Sequence, residues 1–215
     1  MTTQTDSVSS RRERCATCLR AQSGCICQWV RPLSHAVEIL ILQHPLEVQH
    51  AKGSARLLHL SLPDSRLVTG EAFAAAELDA LLAGKHNVLL YPDTPGDRSL
   101  GIAPPPPLDD AWLKDTASLR LVVLDATWRK SRKMLYLNPA LQQLPRLPLR
   151  DTPPSHYLIR KAHVPDQLST LEATCYALMQ LEDEVARFAP LIAAFDGFVA
   201  QQLSYITAFD AKNVK

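Results

Sequence analysis

Four cysteines lie within thirteen residues of one another in the segment CATCLRAQSGCIC, as a C-x-x-C pair followed by a C-x-C pair: Cys15, Cys18, Cys25 and Cys27. Four thiolates suit the tetrahedral coordination of zinc, at Zn–S distances of about 2.3 Å, and they leave no open coordination position for catalysis. An iron–sulfur cluster also uses four cysteines, but the segment lacks the C-x₂-C-x₂-C run of one common cluster motif. The pattern therefore predicts a structural zinc site.

A carboxylate and two neighbours form a second candidate site in the stretch LVVLDATWRKSRKM, residues 121–134. Asp125 ends an apolar run typical of a buried parallel strand, and ligands bind beyond the carboxyl ends of such strands. Thr127 is in position to cap a helix that begins at Trp128. Asp also helps to open helices, so a purely structural role for Asp125 is the alternative to a chemical one.

Positive charge is concentrated directly after this aspartate, at Arg129, Lys130, Arg132 and Lys133. Cations in the first turns of a helix oppose its dipole, at a cost of about 0.3–1 kcal/mol each. A positive helix end with four cations is suited to phosphates, although a solvated charged face would have the same composition. Arg160 and Lys161 extend the basic set, and the arginines around the cysteines are also expected to touch phosphates: Arg11, Arg12, Arg14 and Arg20.

Strands and helices alternate along the chain. Apolar runs predict strands at 36–43, 66–69, 87–91, 119–125 and 156–159, with a weaker one at 146–149. Helical patterns cover 46–60, 71–83, 127–137, 169–187 and 189–208. Ser169 and Glu172 form a predicted capping box. This alternation indicates an α/β fold with a mostly parallel sheet and helices on both faces.

The composition of the 215 residues, 47% of them hydrophobic, suits one main domain. We expect a disordered tail at 1–12, the zinc element at 13–30 and a catalytic domain at 31–210. The basic N-terminal segment has no apolar stretch behind it, and no run reaches the roughly 20 apolar residues of a membrane helix. These features predict a cytoplasmic protein. Cys175 falls in a helical pattern and is expected in the core.

The motifs resemble one known family. DATW at 125–128 resembles the D-x-T-W signature of DTW-domain proteins, and three further segments are similar to that family in its order: CATCLRAQSGCIC, LLYPD at 89–93 and IRKA…LSTLEA at 159–173. The similarity runs from about Cys15 to Glu184. It implies a SPOUT-like fold and a kinship with bacterial tRNA-uridine aminocarboxypropyltransferases.

The resemblance also implies a reaction and its partners. S-adenosylmethionine would donate its 3-amino-3-carboxypropyl group to the imide nitrogen of a uridine in tRNA. Asp125 would act as general base, or orient the imide N–H, and S-adenosylmethionine would contact Tyr91, Pro92, Thr127 and Trp128. Further readings for Trp128 are stacking on uracil or adenine and a cation–π contact with the sulfonium. The RNA phosphates would be bound by six cations: Arg129, Lys130, Arg132, Lys133, Arg160 and Lys161. The alternatives are a SPOUT-type RNA methyltransferase and a zinc-containing RNA-binding protein without catalysis.

Overall fold

The computed structural model describes residues 13–93, 101–155 and 168–213, with side chains described up to residue 207. The predicted tail at 1–12, the predicted strand at 156–159 and the two cations Arg160 and Lys161 lie outside the described residues, as do Arg11 and Arg12. The proposed boundaries between tail, cysteine element and catalytic domain remain predictions.

Five parallel strands form one sheet in the order β2–β1–β4–β3–β5. They are β1 (Glu38–Gln43), β2 (Ser65–Thr69), β3 (His86–Leu90), β4 (Leu119–Asp125) and β5 (Arg146–Leu147). The central strand β4 has the bounds that its apolar run predicts, and the others differ from prediction by one or two residues. Because all the strands are parallel, their carboxyl ends lie at one edge of the sheet.

In the described ranges, six α-helices connect and cover the strands: α1 (Ala55–Ser61), α2 (Ala75–Leu82), α3 (Trp128–Leu137), α4 (Pro139–Gln142), α5 (Thr170–Glu182) and α6 (Val185–Asn213). Alternate residues of the central strands point to opposite faces, so the sheet separates two hydrophobic clusters. Ile39 and Leu121 pack with residues of α1, α5 and α6, whereas Leu40 and Val122 pack with residues of α2, α3 and α4. The predicted α/β layering is confirmed, and the relation to SPOUT enzymes stays a prediction.

Four helix predictions are wrong in extent, the first two of them in the N-terminal half of the chain. The segment predicted as a helix at 46–60 holds a 3-10 turn at Pro45–Glu47, and α1 begins only at Ala55. Gly53 explains the interruption, since its N–H closes a turn onto His50 O at 2.8 Å. Helix α2 begins four residues later than its pattern predicts.

The boundary between the last two helices also differs from the prediction. Helix α5 ends at Glu182, because Asp183 adopts a left-handed conformation with φ of 52°. Helix α6 then begins at Val185 and includes Pro190 instead of starting beside it. Pro190 is the sixth residue of α6 and has no N–H, so the carbonyl of Ala186 receives no helical hydrogen bond from it. Among the described residues, no helix is both long and apolar enough to span a bilayer.

Candidate active site and metal centre

The four predicted metal ligands converge on one point. Their sulfur atoms all lie within 4.8 Å of one another. Cys15 Sγ is 3.6 Å from Cys27 Sγ, and Cys18 Sγ is 3.8 Å from Cys25 Sγ. Sulfurs at the corners of a tetrahedron about a zinc ion, each about 2.3 Å from it, would lie about 3.8 Å apart. The thiols therefore fit a tetrahedral metal ion without rearrangement of the backbone.

Two of these thiols differ in acidity. Backbone N–H groups of Cys18 and Thr17 lower the pKa of Cys15 to about 6, whereas burial raises the pKa of Cys27 to about 12. The environment thus favours a thiolate at Cys15 and a protonated thiol at Cys27. A bound metal ion would displace the protons of the thiols that ligate it. The fifth cysteine, Cys175, is fully buried in the core as predicted, and burial raises its pKa.

The cysteine element (residues 13–30) is held against the turn before α1 and against α6 by Arg20. Arg20 Nη2 donates to Gly53 O at 2.7 Å, Nη1 donates to Ala51 O, and the guanidinium lies over the Phe198 ring, 5.2 Å from its centroid. Two donors of Arg20 thus hold the turn before α1, and its predicted contact with phosphates remains a prediction. A second contact comes from α1, where Arg56 donates a hydrogen bond to Thr17 O of the cysteine element at 2.7 Å.

Asp125 lies at the carboxyl edge of the sheet, is only 5% exposed, and has Gln43 and Thr170 among its hydrogen-bond partners. Its Oδ2 accepts a hydrogen bond from Gln43 Nε2 at 2.9 Å, and its Oδ1 accepts one from Thr170 Oγ1 at 2.6 Å. Gln43 is the register partner of Asp125 on β1, and Thr170 is the first residue of α5. This set suits an ionised carboxylate, which accepts at both oxygens and is favoured near a helix N-terminus.

The helix after Asp125 begins where the sequence predicts. Thr127 is the N-cap residue of α3, but its side chain makes no capping hydrogen bond. The prediction is therefore right for the position and wrong for the interaction. Its carbonyl accepts the first helical hydrogen bond, from Ser131 N at 2.8 Å.

Three side chains stack in a column across the region where β4 and β3 end and β5 begins: Trp128, Tyr91 and Arg146. The rings of Trp128 and Tyr91 are stacked, with centroids 5.1 Å apart and planes inclined by 16°. The Arg146 guanidinium lies 4.9 Å from the centroid of Tyr91, and its Nη1 donates to Pro92 O at 3.4 Å. Tyr91 is buried, whereas Trp128 is 41% exposed. The buried Tyr91 ring thus supports one face of the partly exposed indole of Trp128, and the Arg146 guanidinium supports Tyr91.

An open cleft of about 850 Å³ lies along α3. It is lined by His44, Leu46, Glu71, Thr127, Trp128, Arg129, Lys130, Arg132, Lys133 and Tyr136. The structure thus brings together Thr127, Trp128 and the four predicted RNA-binding cations of α3. Asp125, Tyr91 and Pro92 are not among the lining residues, although Asp125 precedes Thr127 by two residues and Tyr91 stacks on Trp128.

Both lysines of this group have carboxylate partners among the described residues. Lys130 Nζ lies 2.8 Å from Glu47 Oε1, and Lys133 Nζ lies 2.9 Å from Glu71 Oε2. Hydrogen bonds from Lys133 and from His44 lower the pKa of Glu71. Arg129 is exposed and makes no ion pair with any residue in the described ranges. The RNA-binding role predicted for these residues remains a prediction, with part of the lysine charge already compensated.

His44 belongs to the same polar group and has a defined tautomer. Leu46 N donates to His44 Nδ1 at 3.1 Å, so that Nδ1 carries a lone pair. The proton is then on Nε2, which lies 2.9 Å from Glu71 Oε1. His44 therefore anchors one wall of the cleft.

Several residues at this site were not singled out from the sequence. Gln43 follows a buried apolar strand, and polar residues at that position of neighbouring strands are the signal that could have identified it. Thr170 was assigned to the capping-box segment, and the capping box is confirmed: Glu172 N donates to Ser169 Oγ at 3.1 Å, and Ser169 N donates to Glu172 Oε2 at 2.7 Å. The acids Glu47 and Glu71 carry no local signal, because only the fold brings them to the lysines.

Comparisons with known proteins agree with the resemblance in the motifs. The family model described as the DTW domain matches residues 12–203. A Drosophila melanogaster protein named tRNA-uridine aminocarboxypropyltransferase 2 is 30% identical over 82% of this chain and 70% of its own length. A Mus musculus protein of the same name is 28% identical over 81% of this chain.

Two properties of the matched relatives are relevant to the comparison, namely their length and their source organisms. The chain spans 58% of the length of the mouse protein, which thus extends beyond the similarity. The relatives are eukaryotic, an Arabidopsis thaliana protein named tRNA-uridine aminocarboxypropyltransferase A among them, whereas the motifs suggested bacterial members. No solved structure matches the chain with statistical significance.

Proposed function

The chain belongs to the DTW domain family, and on this basis we propose that it transfers the 3-amino-3-carboxypropyl group of S-adenosylmethionine to the imide nitrogen of a uridine in tRNA. The names of the relatives support the group transferred and the acceptor. The observation that carries the proposal for this chain is Asp125, a buried and hydrogen-bonded carboxylate that closely precedes the residues lining a cleft with an aromatic ring and cations.

The reaction forms one C–N bond and breaks one C–S bond. The imide nitrogen of uracil loses its proton and attacks the methylene carbon bonded to the sulfonium. The electron pair of the broken bond passes to sulfur, and neutral methylthioadenosine leaves. The sulfonium is already activated, so the difficult steps are the removal of the imide proton and the alignment of nitrogen, carbon and sulfur.

We assign Asp125 to the imide proton. Gln43 and Thr170 each donate a hydrogen bond to one oxygen of the carboxylate, and together they hold its orientation at the edge of the sheet. In this orientation the carboxylate accepts the imide N–H as general base or orients it. We place S-adenosylmethionine against Tyr91, Pro92, Thr127 and Trp128, at the carboxyl ends of β3 and β4.

The metal has no part in this chemistry. We propose that zinc occupies the cysteine site, because four sulfurs at tetrahedral spacing match its preference. A four-thiolate site has no open position for a substrate or for water. Its contribution is to hold residues 13–30 in the conformation in which Arg20 reaches Ala51 and Gly53. We further propose tRNA contacts through Arg129, Lys130, Arg132 and Lys133, and through Arg160 and Lys161 beyond the described residues.

Replacement of Asp125 by Asn tests the proposal. We expect the yield of modified uridine to fall by about 10²–10⁴-fold, the usual contribution of a positioned base, while tRNA is still bound. The measurement is mass spectrometry of nucleosides from tRNA incubated with enzyme and S-adenosylmethionine. Asp79→Asn, an exposed aspartate on α2, is the matched control and should retain full yield.

The same measurement separates the alternative functions. An aminocarboxypropyl mass gain with methylthioadenosine as by-product supports the proposal. A methyl gain with S-adenosylhomocysteine would show an RNA methyltransferase instead. The absence of any product, with tRNA bound equally by the native protein and by Asp125→Asn, would support an RNA-binding protein without catalysis.

A further inference from the structure

Two exposed aromatic side chains line the cleft, although only one of them lies in the D-x-T-W motif. Trp128 is 41% exposed and Tyr136 is 56% exposed. Leu46, on the opposite wall, is 69% exposed. Large apolar side chains that open together into a cleft with cations are unusual on a surface that meets only water. Tyr136 has no assigned role in the core or in the chemistry above.

The charge around these rings is suited to a polyanion. Arg129, Lys130, Arg132 and Lys133 line the same cleft, and its one acidic lining residue is Glu71. The ion pairs of Lys130 with Glu47 and of Lys133 with Glu71 compensate part of this charge. Attraction of phosphate is therefore weaker than the residue count indicates, and stacking would contribute a larger share of the binding energy.

The separation of the two rings indicates which form of RNA fits. Trp128 and Tyr136 are eight residues apart in α3, which corresponds to about 12 Å along the helix axis. Stacked nucleotides rise only about 3.4 Å each along a strand. Rings separated by about 12 Å cannot both stack on adjacent bases of a regular helix. They can stack on bases of a single strand whose bases are splayed apart.

We propose that Tyr136 stacks on a second, unpaired base of the RNA strand whose target uridine is held near Trp128, so that the cleft binds single-stranded RNA at two aromatic positions. This inference rests on the proposed function, since it takes tRNA as the ligand. It adds a binding residue outside the D-x-T-W motif and assigns the base contact to stacking, which every base can make. Arg129 then supplies phosphate attraction between the two rings.

Binding of a labelled ten-nucleotide oligouridine to the full-length protein tests the inference, with Tyr136→Ala and Tyr136→Phe compared. We expect Tyr136→Ala to raise Kd by about 5- to 150-fold, the range that corresponds to loss of one aromatic–base stack. Tyr136→Phe should bind like the native protein, because it keeps the ring. Leu137→Ala, which removes exposed apolar surface from the same helix outside the cleft, should bind normally.

The salt dependence of binding distinguishes stacking from charge. Tyr136→Ala should weaken binding without changing the slope of log K against log salt, whereas Arg129→Ala should reduce that slope by about 0.7, the value for one phosphate of a single strand. Equal affinity of the native protein and Tyr136→Ala for oligouridine would overturn the inference. So would equal binding of an RNA duplex of the same length.

The two proposals fail separately. If Tyr136→Ala binds oligouridine normally while Asp125→Asn abolishes the product, the stacking inference is wrong and the proposed reaction stands. If Tyr136→Ala loses affinity while no aminocarboxypropyl uridine forms in the native protein, the cleft binds RNA for another purpose.

Discussion

Lys130 and Lys133 illustrate how neighbouring residues of one type acquire different roles from their surroundings. Both lie on the cleft side of α3 and both have a glutamate partner within 3 Å. The carboxylate of Glu47 is 9% exposed and the Lys130 side chain 28%, whereas the Lys133 side chain is 59% exposed. A partly buried ion pair responds to loss of one partner more strongly than an exposed pair, because a buried charge is left behind.

Alanine substitution of each lysine is expected to separate these roles. Lys130→Ala should reduce the free energy of unfolding by about 1–3 kcal/mol, because Glu47 loses its charged partner in a desolvated position. Lys133→Ala, the matched control, should change it by less than about 1 kcal/mol. Urea denaturation followed by circular dichroism measures both. Equal losses would show that burial of Glu47 has no energetic consequence.

At the scale of elements, the cysteine element and α6 meet in a close contact at a glycine. A Cβ atom on Gly197 would lie 2.1 Å from Trp29 Cζ3 and 2.5 Å from Trp29 Cε3. Trp29 is also held by a hydrogen bond from its Nε1 to Gln201 Oε1 at 2.5 Å. The absence of a side chain at residue 197 is therefore what allows the indole to pack on the helix.

In Gly197→Ala, helix propensity and side-chain packing are expected to change the stability of the protein in opposite directions. Propensity alone would stabilise α6 by up to about 1 kcal/mol, but displacement of Trp29 should outweigh it and give a net loss of about 1–3 kcal/mol. The control is Gly24→Ala, where a Cβ would meet nothing within 4 Å, so its effect should stay within about 0.5 kcal/mol. A Gly197→Ala protein more stable than the native one would contradict the packing described here.

In the molecule as a whole, a series of contacts connects the four-cysteine cluster to Asp125, the candidate catalytic carboxylate. Arg20 holds the turn at Ala51 and Gly53, and the next residue, Ser54, accepts a hydrogen bond from Leu171 N at 3.2 Å. Thr170, which precedes Leu171, donates to Asp125. Loss of the metal should therefore affect more than residues 13–30.

Removal of the metal has a defined expected result. Cys18→Ser should lose the stoichiometric metal and lower the Tm, since a structural metal site contributes directly to folding. Cys175→Ala, the control for loss of a buried thiol, should keep one metal ion per chain. Elemental analysis and thermal unfolding with and without chelator measure these effects. A chelator that leaves the Tm of the native protein unchanged would count against a structural role for the metal.

The sequence alone determined the features that depend on local pattern: the alternation of strands and helices, the bounds of β4, the capping box of α5 and the grouping of four thiols. Apolar periodicity and ligand spacing report such features directly. The start of α1 was predicted wrongly, because a single turn at Gly53 overrides a helical pattern.

Only the tertiary structure decided which distant residues meet. Gln43 and Thr170 reach Asp125 from positions 82 and 45 residues away, and Glu47 and Glu71 reach lysines 83 and 62 residues away. Likewise, Arg20 binds the backbone carbonyls of Ala51 and Gly53, more than 30 residues away along the chain. A local pattern carries no information on such pairs, since their distances are set by strand order and by the packing of helices on the sheet.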